Sequence, residues 1–375
     1  MVEGTNILRT GYEKKTKIHP QDQKINLDSG ALTSPARQAI PSEEEGKYAH
    51  LEGIVHGILT ELMHNPAREK KYKDFLTGAF KLDWIWRNLA RLPNPENRFR
   101  AFILIYVQQR LLDDIIDGDT PEKIKPKDRV AYAKQKIQNL GTGNFDPTDS
   151  IDAFSIKIFS DIEALDPQYV TKAKRRLKLI MESLVFDGER ILEREETGSW
   201  KFLPQSELEQ HFFALDIEGT TALTLFLFGL ADSEYNITLL RPLGLGTRVS
   251  YNVKDFSADI RAGICNIPKE DAERLRITDK SLRLVIGLGE NISQYPENIK
   301  IWLGEQITRG RKLLAGHEVS PILSLEMLNP GKKSSFMQAP RNFAYKALIK
   351  KIIFPVAYVN EAQATFAKLE NQLKQ

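Results

Sequence analysis

Phe102-Ile103-Leu104-Ile105-Tyr106-Val107-Gln108-Gln109-Arg110-Leu111-Leu112-Asp113-Asp114-Ile115-Ile116-Asp117-Gly118-Asp119 is an apolar run that ends in carboxylates. Asn94-Pro95 upstream supplies an N-cap and a proline at the first helical position, and Gly118 reads as the stop. On a helix so bounded, Asp113 and Asp117 lie one turn apart on one face. This crowding runs against the helix dipole, because a C-terminus carries partial negative charge and favours Lys or Arg in its last turn. The stretch therefore calls for a compensating cation. Mg²⁺ and Ca²⁺ prefer carboxylate oxygens, and Mg²⁺ characteristically joins one or two carboxylates to substrate phosphates. A solvated acidic helix end is the plainer alternative.

Outward from this run the pattern stays helical. Ser42 and Glu45 form a capping box before Leu51, Ile54, Ile58 and Leu62, and a second segment from about Glu69 to Leu92 carries Phe75, Phe80, Trp84 and Trp86. Asp166-Pro167 opens a helix from Gln168 to about Glu196. Its charged end, with Asp187, Glu189, Arg190, Glu193, Arg194, Glu195 and Glu196, reads as a solvated face laced with ion pairs. Ser206-Glu207-Leu208-Glu209 reads as a capping box opening a helix through Phe212 toward Ala231. Gly219-Thr220-Thr221 in its middle implies a close neighbour or a bend. Tyr345 to Leu373 reads as a terminal helix. Alternating strand patterns are few, so the fold class is all-α: one domain over 42–375 behind a polar leader over 1–41.

Composition narrows the function classes. Hydrophobic residues make up 41% of the 375, enough for a sizeable core. Basic and acidic residues nearly cancel, 53 against 50, so no global field argues for nucleic acid. A single cysteine, Cys265, excludes an intrachain disulfide framework and a cysteine-cluster metal site. The polar N-terminus lacks the apolar core of a signal peptide, and the longest apolar run, Ala222 to Ala231, falls short of the roughly 20 residues of a membrane span. A cytoplasmic location is expected. His50, His56 and His64 do not share a helical face and are not read as metal ligands.

A second acidic stretch completes the chemistry. Leu243-Gly244-Leu245-Gly246-Thr247-Arg248-Val249-Ser250-Tyr251-Asn252-Val253-Lys254-Asp255-Phe256-Ser257-Ala258-Asp259-Ile260-Arg261-Ala262-Gly263 again places two aspartates, Asp255 and Asp259, four residues apart, with Lys254 and Arg261 beside them. Opposed carboxylate clusters can hold several Mg²⁺ ions that clamp a diphosphate, while nearby cations neutralise the charge of its departure. The allylic carbocation left behind needs apolar, water-excluding walls.

At this point the chain resembles the squalene and phytoene synthases of the isoprenoid synthase superfamily. Their first motif, Arg-x-x-Asp-Asp-x-x-Asp, is matched by Arg110-Leu111-Leu112-Asp113-Asp114-Ile115-Ile116-Asp117. Their second is followed in spacing by Asp255, Asp259, Gly263 and Pro268, with Lys254 where the family has Arg. The helix around Gly219 and the turn from Lys269 to Ile277 are similar as well, and the likeness spans about residues 70 to 280. It implies a helical bundle around a central apolar cavity, with about three Mg²⁺ ions held by Asp113, Asp114, Asp117, Asp255 and Asp259 when diphosphate is bound. It also implies diphosphate contacts from Arg110, Lys254, Arg248, Arg261 and Tyr251. The substrate would be a prenyl diphosphate of the farnesyl or geranylgeranyl class. NADPH is an optional reductant, and no residue decides its use or the oligomeric state.

The departures bear on the product. The region of Lys73-Asp74-Phe75-Leu76 lacks the family's His and Ser-containing motif, Tyr251 stands where the family has Asn, and Arg248 stands where it has Gln. Three readings follow: head-to-head joining of two prenyl diphosphates, cyclisation of one on the same fold, or a catalytically silent binding homologue. Lys346, Lys350 and Lys351, with the basic loop Gly331 to Ser335, suggest a peripheral contact with a membrane, although a solvated face explains them more simply.

Overall fold

The computed structural model describes residues 93–118, 124–146, 149–227, 229, 232–315 and 356–374. The expected leader, the helices placed before residue 93, the three early histidines, the basic loop and Lys346 to Lys351 lie outside the described residues. Of the described part, 83% is helical and none is in a strand, so the all-α class holds. The chain divides into two compact units, Met1–Lys174 and Arg175–Gln375, with the boundary inside one helix.

In the first unit α1 (Pro95–Asp117) is nearly enveloped: Phe99, Ala101, Leu104 and Leu112 are fully buried. Asn94 occupies the N-cap position in the left-handed region, at φ 50 and ψ 53, but its side chain does not cap. Its amide instead donates to the Ala164 carbonyl at 3.1 Å. α2 (Pro126–Thr142) and α3 (Ser150–Leu165) pack on α1. Gln108 of α1 donates to the Ile151 carbonyl and to Ser155 Oγ at 2.7 and 2.6 Å. Asp161 of α3 gathers Asn97 and Arg100. Buried Lys136 of α2 lies 2.9 Å from both Asp149 and Asp152. The Asp166-Pro167 start is as expected: Asp166 accepts from the Gln168 N–H at 2.9 Å, closing a 3-10 turn that leads into α4 (Val170–Thr197).

The second unit takes the rest of α4, then α5 (Gln205–Phe212), a π-helical segment (Phe213–Thr221), α6 (Ala222–Leu227), α7 (Glu234–Lys254), α8 (Phe256–Ala262), α9 (Lys269–Leu275), α10 (Asp279–Leu288), α11 (Glu297–Leu314) and α12 (Val356–Leu373). The expected capping box at Ser206 is absent. Pro204 is the N-cap of α5, and the Gln205 N–H is satisfied by Glu270 of α9 at 3.0 Å. Gly219 explains itself by closeness: a side chain there would collide with Ile180 of α4. The helix also takes the π form at that place, and of the two alternatives for the small-residue centre the close neighbour is the one met. α7 packs on α11 and α12 around Trp302 and Phe366, which are almost wholly buried. No helix among the described residues is long and apolar enough to cross a membrane.

Candidate functional site

The acidic end of α1 is answered by arginines of its own unit. Gly118 ends the helix at φ 78, and its N–H returns to the carbonyls of Asp114 and Ile115. Arg129 of α2, itself 7% exposed, donates Nη1 to the Ile116 carbonyl at 2.7 Å, so a buried guanidinium meets the negative end of the dipole. Arg110 donates to Asp113 Oδ2 at 2.7 Å and stands 3.6 Å from Asp114 Oδ1. Asp114 is buried, Asp113 half-buried and Asp117 exposed. Arg110, expected to hold a diphosphate, is thus laid along the aspartates.

The second stretch is built differently. α7 stops at Lys254, α8 begins at Phe256, and Asp255 sits between them at φ −94 and ψ 8. The helical ladder still crosses the break: the Asp255 N–H donates to the Tyr251 carbonyl at 2.8 Å and the Asp259 N–H to the Asp255 carbonyl at 2.9 Å. The expected one-turn spacing of Asp255 and Asp259 therefore survives, across a break instead of within one helix. Asp255 is exposed and Asp259 half-buried. Burial, followed by the charges of Asp255 and Asp187, pushes the Asp259 carboxyl up to about 8, against a weaker pull from Arg248 and Arg190. Neither arginine bonds to it. Arg248 is spent on a bidentate pair with Asp216 of the π segment at 2.8 and 2.5 Å. The nearest direct partner of Asp259 is the neutral amide of Asn266, at 3.4 Å from Oδ2.

The other expected diphosphate contacts are scattered. Lys254 is exposed, with Nζ 5.2 Å over the Tyr251 ring. Tyr251 is half-buried and also neighbours Arg248, whose guanidinium carbon lies 5.9 Å from the ring centre. Arg261 is exposed, and its charge is felt at Tyr295.

Sequence reasoning missed the floor beneath Asp259, and here the solvated-face reading of the end of α4 needs correction. Arg190 is 4% exposed. It donates to Asp187 Oδ1 at 2.9 Å, to Asn266 Oδ1 from both Nη atoms at 3.1 Å, and to the Cys265 carbonyl. His211 lies between Phe186 and Phe212, with Nε2 3.4 Å from Asp187 Oδ2. Although burial opposes ionisation of Asp187, the charge and hydrogen bond of His211, with Arg190 and Arg248, hold its carboxyl down at about 2. One signal for burial was present: apolar Leu184 and Ile191 flank Asp187 at helical spacing. Glu189, Glu195 and Glu196 are exposed, as the solvated reading expected. Beside Asn252 and Asn266 lies a small recess of about 20 Å³, with Leu208, Phe212, Val249 and Trp302 among its walls.

Among the described residues, no three or more His, Cys, Asp or Glu side chains are gathered as ligands around one point. The donor set nevertheless suits Mg²⁺. It consists of hard carboxylate oxygens and amides, and Mg²⁺ takes only one or two protein carboxylates where phosphate oxygens and water complete its shell. Asp259 supplies the direct sign, because burial beside two carboxylates without a bonded cation favours any cation that arrives. No family model matches the chain, and no curated protein matches it.

Proposed function

We propose that this chain ionises allylic prenyl diphosphates of the farnesyl or geranylgeranyl class with Mg²⁺, and joins two of them head to head with release of diphosphate. The observation that carries the reading is the placement of Asp259, whose side chain is met by the neutral Asn266 amide while Arg248 is bonded to Asp216 and Arg190 to Asp187. Burial and the charges of Asp255 and Asp187 leave that carboxyl favouring a proton or a metal cation. When bound, Mg²⁺ would supply Lewis-acid stabilisation of the departing diphosphate. Asp255 and Asp259 would hold metal at the second stretch, and the family resemblance assigns the same duty to Asp113, Asp114 and Asp117 at the first. Exposed Lys254 would approach the diphosphate as a mobile point charge. Leu208, Phe212 and Val249 would shield the cation from water.

Cyclisation of a single prenyl diphosphate is the second reading, and one observation favours it. The bidentate bond to Asp216 occupies Arg248, so this cation does not serve a second diphosphate without first giving up its partner. Incubation of the full chain with Mg²⁺ and farnesyl or geranylgeranyl diphosphate, with and without NADPH, separates the two. Joining doubles the carbon count of the product and cyclisation leaves it unchanged. Asp113→Ala and Asp255→Ala should each slow diphosphate release on the order of 100-fold or more. Full activity in both variants would remove the metal clamp from consideration.

A further inference from the structure

Asn266 lies between α8 and α9, where the chain is closely constrained. Gly263 turns it at φ 105, the Ile264 N–H returns to the Asp259 carbonyl at 2.8 Å, and the Lys269 N–H bonds the Leu203 carbonyl at 2.7 Å. The side-chain amide has only one sensible orientation. Its Oδ1 takes both Nη donors of Arg190 at 3.1 Å, which leaves Nδ2 to face Asp259 Oδ2 and Asn252 Oδ1, each at 3.4 Å. Arg190 is in turn fixed by Asp187 and by the Cys265 carbonyl, and is almost completely buried. A guanidinium anchored in α4 thus reaches the aspartate of α8 only through a neutral amide.

We infer that Asn266, backed by Arg190, is a positioning residue that orients the Asp259 carboxylate to receive a divalent cation; the inference rests on the metal-dependent reading above. The physical case turns on charge. An arginine bonded directly to Asp259 would neutralise it and compete with the incoming cation, as Arg248 neutralises Asp216. An amide N–H on Oδ2 fixes the rotation of the carboxylate, leaves its charge in place and turns Oδ1 toward a ligand. Loss of an outer partner of this kind typically costs about 10- to 100-fold in metal affinity. The donor contacts are long, as expected of a joint that tightens once the carboxylate is loaded.

The test is Mn²⁺ binding to the full-length chain, by calorimetry and by electron paramagnetic resonance, with inorganic pyrophosphate present. Asn266→Ala should weaken Mn²⁺ binding about 10- to 100-fold. Diphosphate release should recover at saturating metal, with the KM for prenyl diphosphate little changed. Asn266→Ser, which keeps an oxygen for Arg190 but falls short of Asp259, should show the same metal defect in a chain that melts like the parent. A purely structural role would lower the melting temperature and leave the Mn²⁺ affinity of the folded protein where it was. Unchanged affinity in both variants, with a parent that binds Mn²⁺, overturns the role of Asn266 alone. A parent that binds no Mn²⁺ overturns that role and the proposed function together.

Discussion

The two acidic stretches use the same spacing and solve opposite electrostatic problems. At the end of α1 the chain supplies its own cations, with Arg110 along Asp113 and Asp114 and Arg129 on the Ile116 carbonyl. At the junction of α7 and α8 it brings carboxylates together and withholds the arginines, bonding Arg248 to Asp216 and Arg190 to Asp187 and Asn266. The first cluster is therefore partly neutralised by its own chain, so that a metal there must draw Arg110 off Asp113, whereas no arginine is bonded to Asp259 in the second. Carboxylate spacing alone does not make a metal site; what decides is where the neighbouring guanidinium groups are anchored.

The strongest way to break this comparison is through the two arginines. Arg190→Ala should destabilise the chain by about 1–3 kcal/mol, because it removes a buried donor from the Cys265 carbonyl and Asn266 and one cation from half-buried Asp187. Arg110→Ala removes a pair whose side chains are 24% and 26% exposed, and should cost about 0–1 kcal/mol. Urea unfolding of both variants measures the difference. Equal losses would mean that the arginine on α1 is as structural as the one on α4, and the contrast would fail.

A similar effect probes the way α1 ends. Gly118 has a positive φ, and a Cβ there would run into the Arg129 guanidinium. Gly118→Ala should cost about 1–3 kcal/mol, through backbone strain and a displaced arginine. A methyl group on Gly141 of α2 would meet nothing within 4 Å, so Gly141→Ala should be neutral or stabilise by about 0.4–1 kcal/mol. Comparable losses in the two variants would show that Arg129 is not tied to the turn at Gly118.

Much of this was legible in the sequence where the controlling interaction is local. The Pro95 start, the Gly118 stop and the Asp166 cap depend on residues within a turn of each other and are found in place, whereas the Asn94 side chain leaves its helix end for the Ala164 carbonyl, 70 residues away. The Ser206 box failed because the donor at that helix start is met by Glu270, which lies 65 residues away. Asp187 and Arg190 form an i,i+3 pair that reads the same on a wet surface as in a buried floor; only the packing of α4 tells them apart. Asn266 was passed over because an Asn in a loop carries no periodicity. Its importance comes from partners 76, 14 and 7 residues away.

The pH dependence of stability is the most direct readout of the second cluster. The Asp259 carboxyl is pushed up to about 8, whereas an unfolded aspartate titrates near about 3.9. A carboxyl raised in the folded state binds its proton more tightly there, so its contribution is full below about 4 and is lost as the pH rises through about 8. The groups that set this are Asp255 at the break, Asp187 and Arg190 from α4, and Arg248 from α7. Asp187 acts in the opposite sense: held at about 2, it stabilises above about 4, and that stability is lost as the pH falls toward 2. Between pH 5 and 9 Asp259 therefore adds a falling contribution, which comparison with Asp259→Asn isolates. The melting temperature of the metal-free chain should therefore fall as the pH rises across that window. Saturating Mg²⁺ should flatten the slope by binding the ionised carboxylate, and Asp259→Asn should flatten it without metal, because the folding-linked proton is gone. A parent whose slope is unmoved both by Mg²⁺ and by Asp259→Asn would place the charge strain elsewhere, and the second stretch would then be no more in need of a cation than the first.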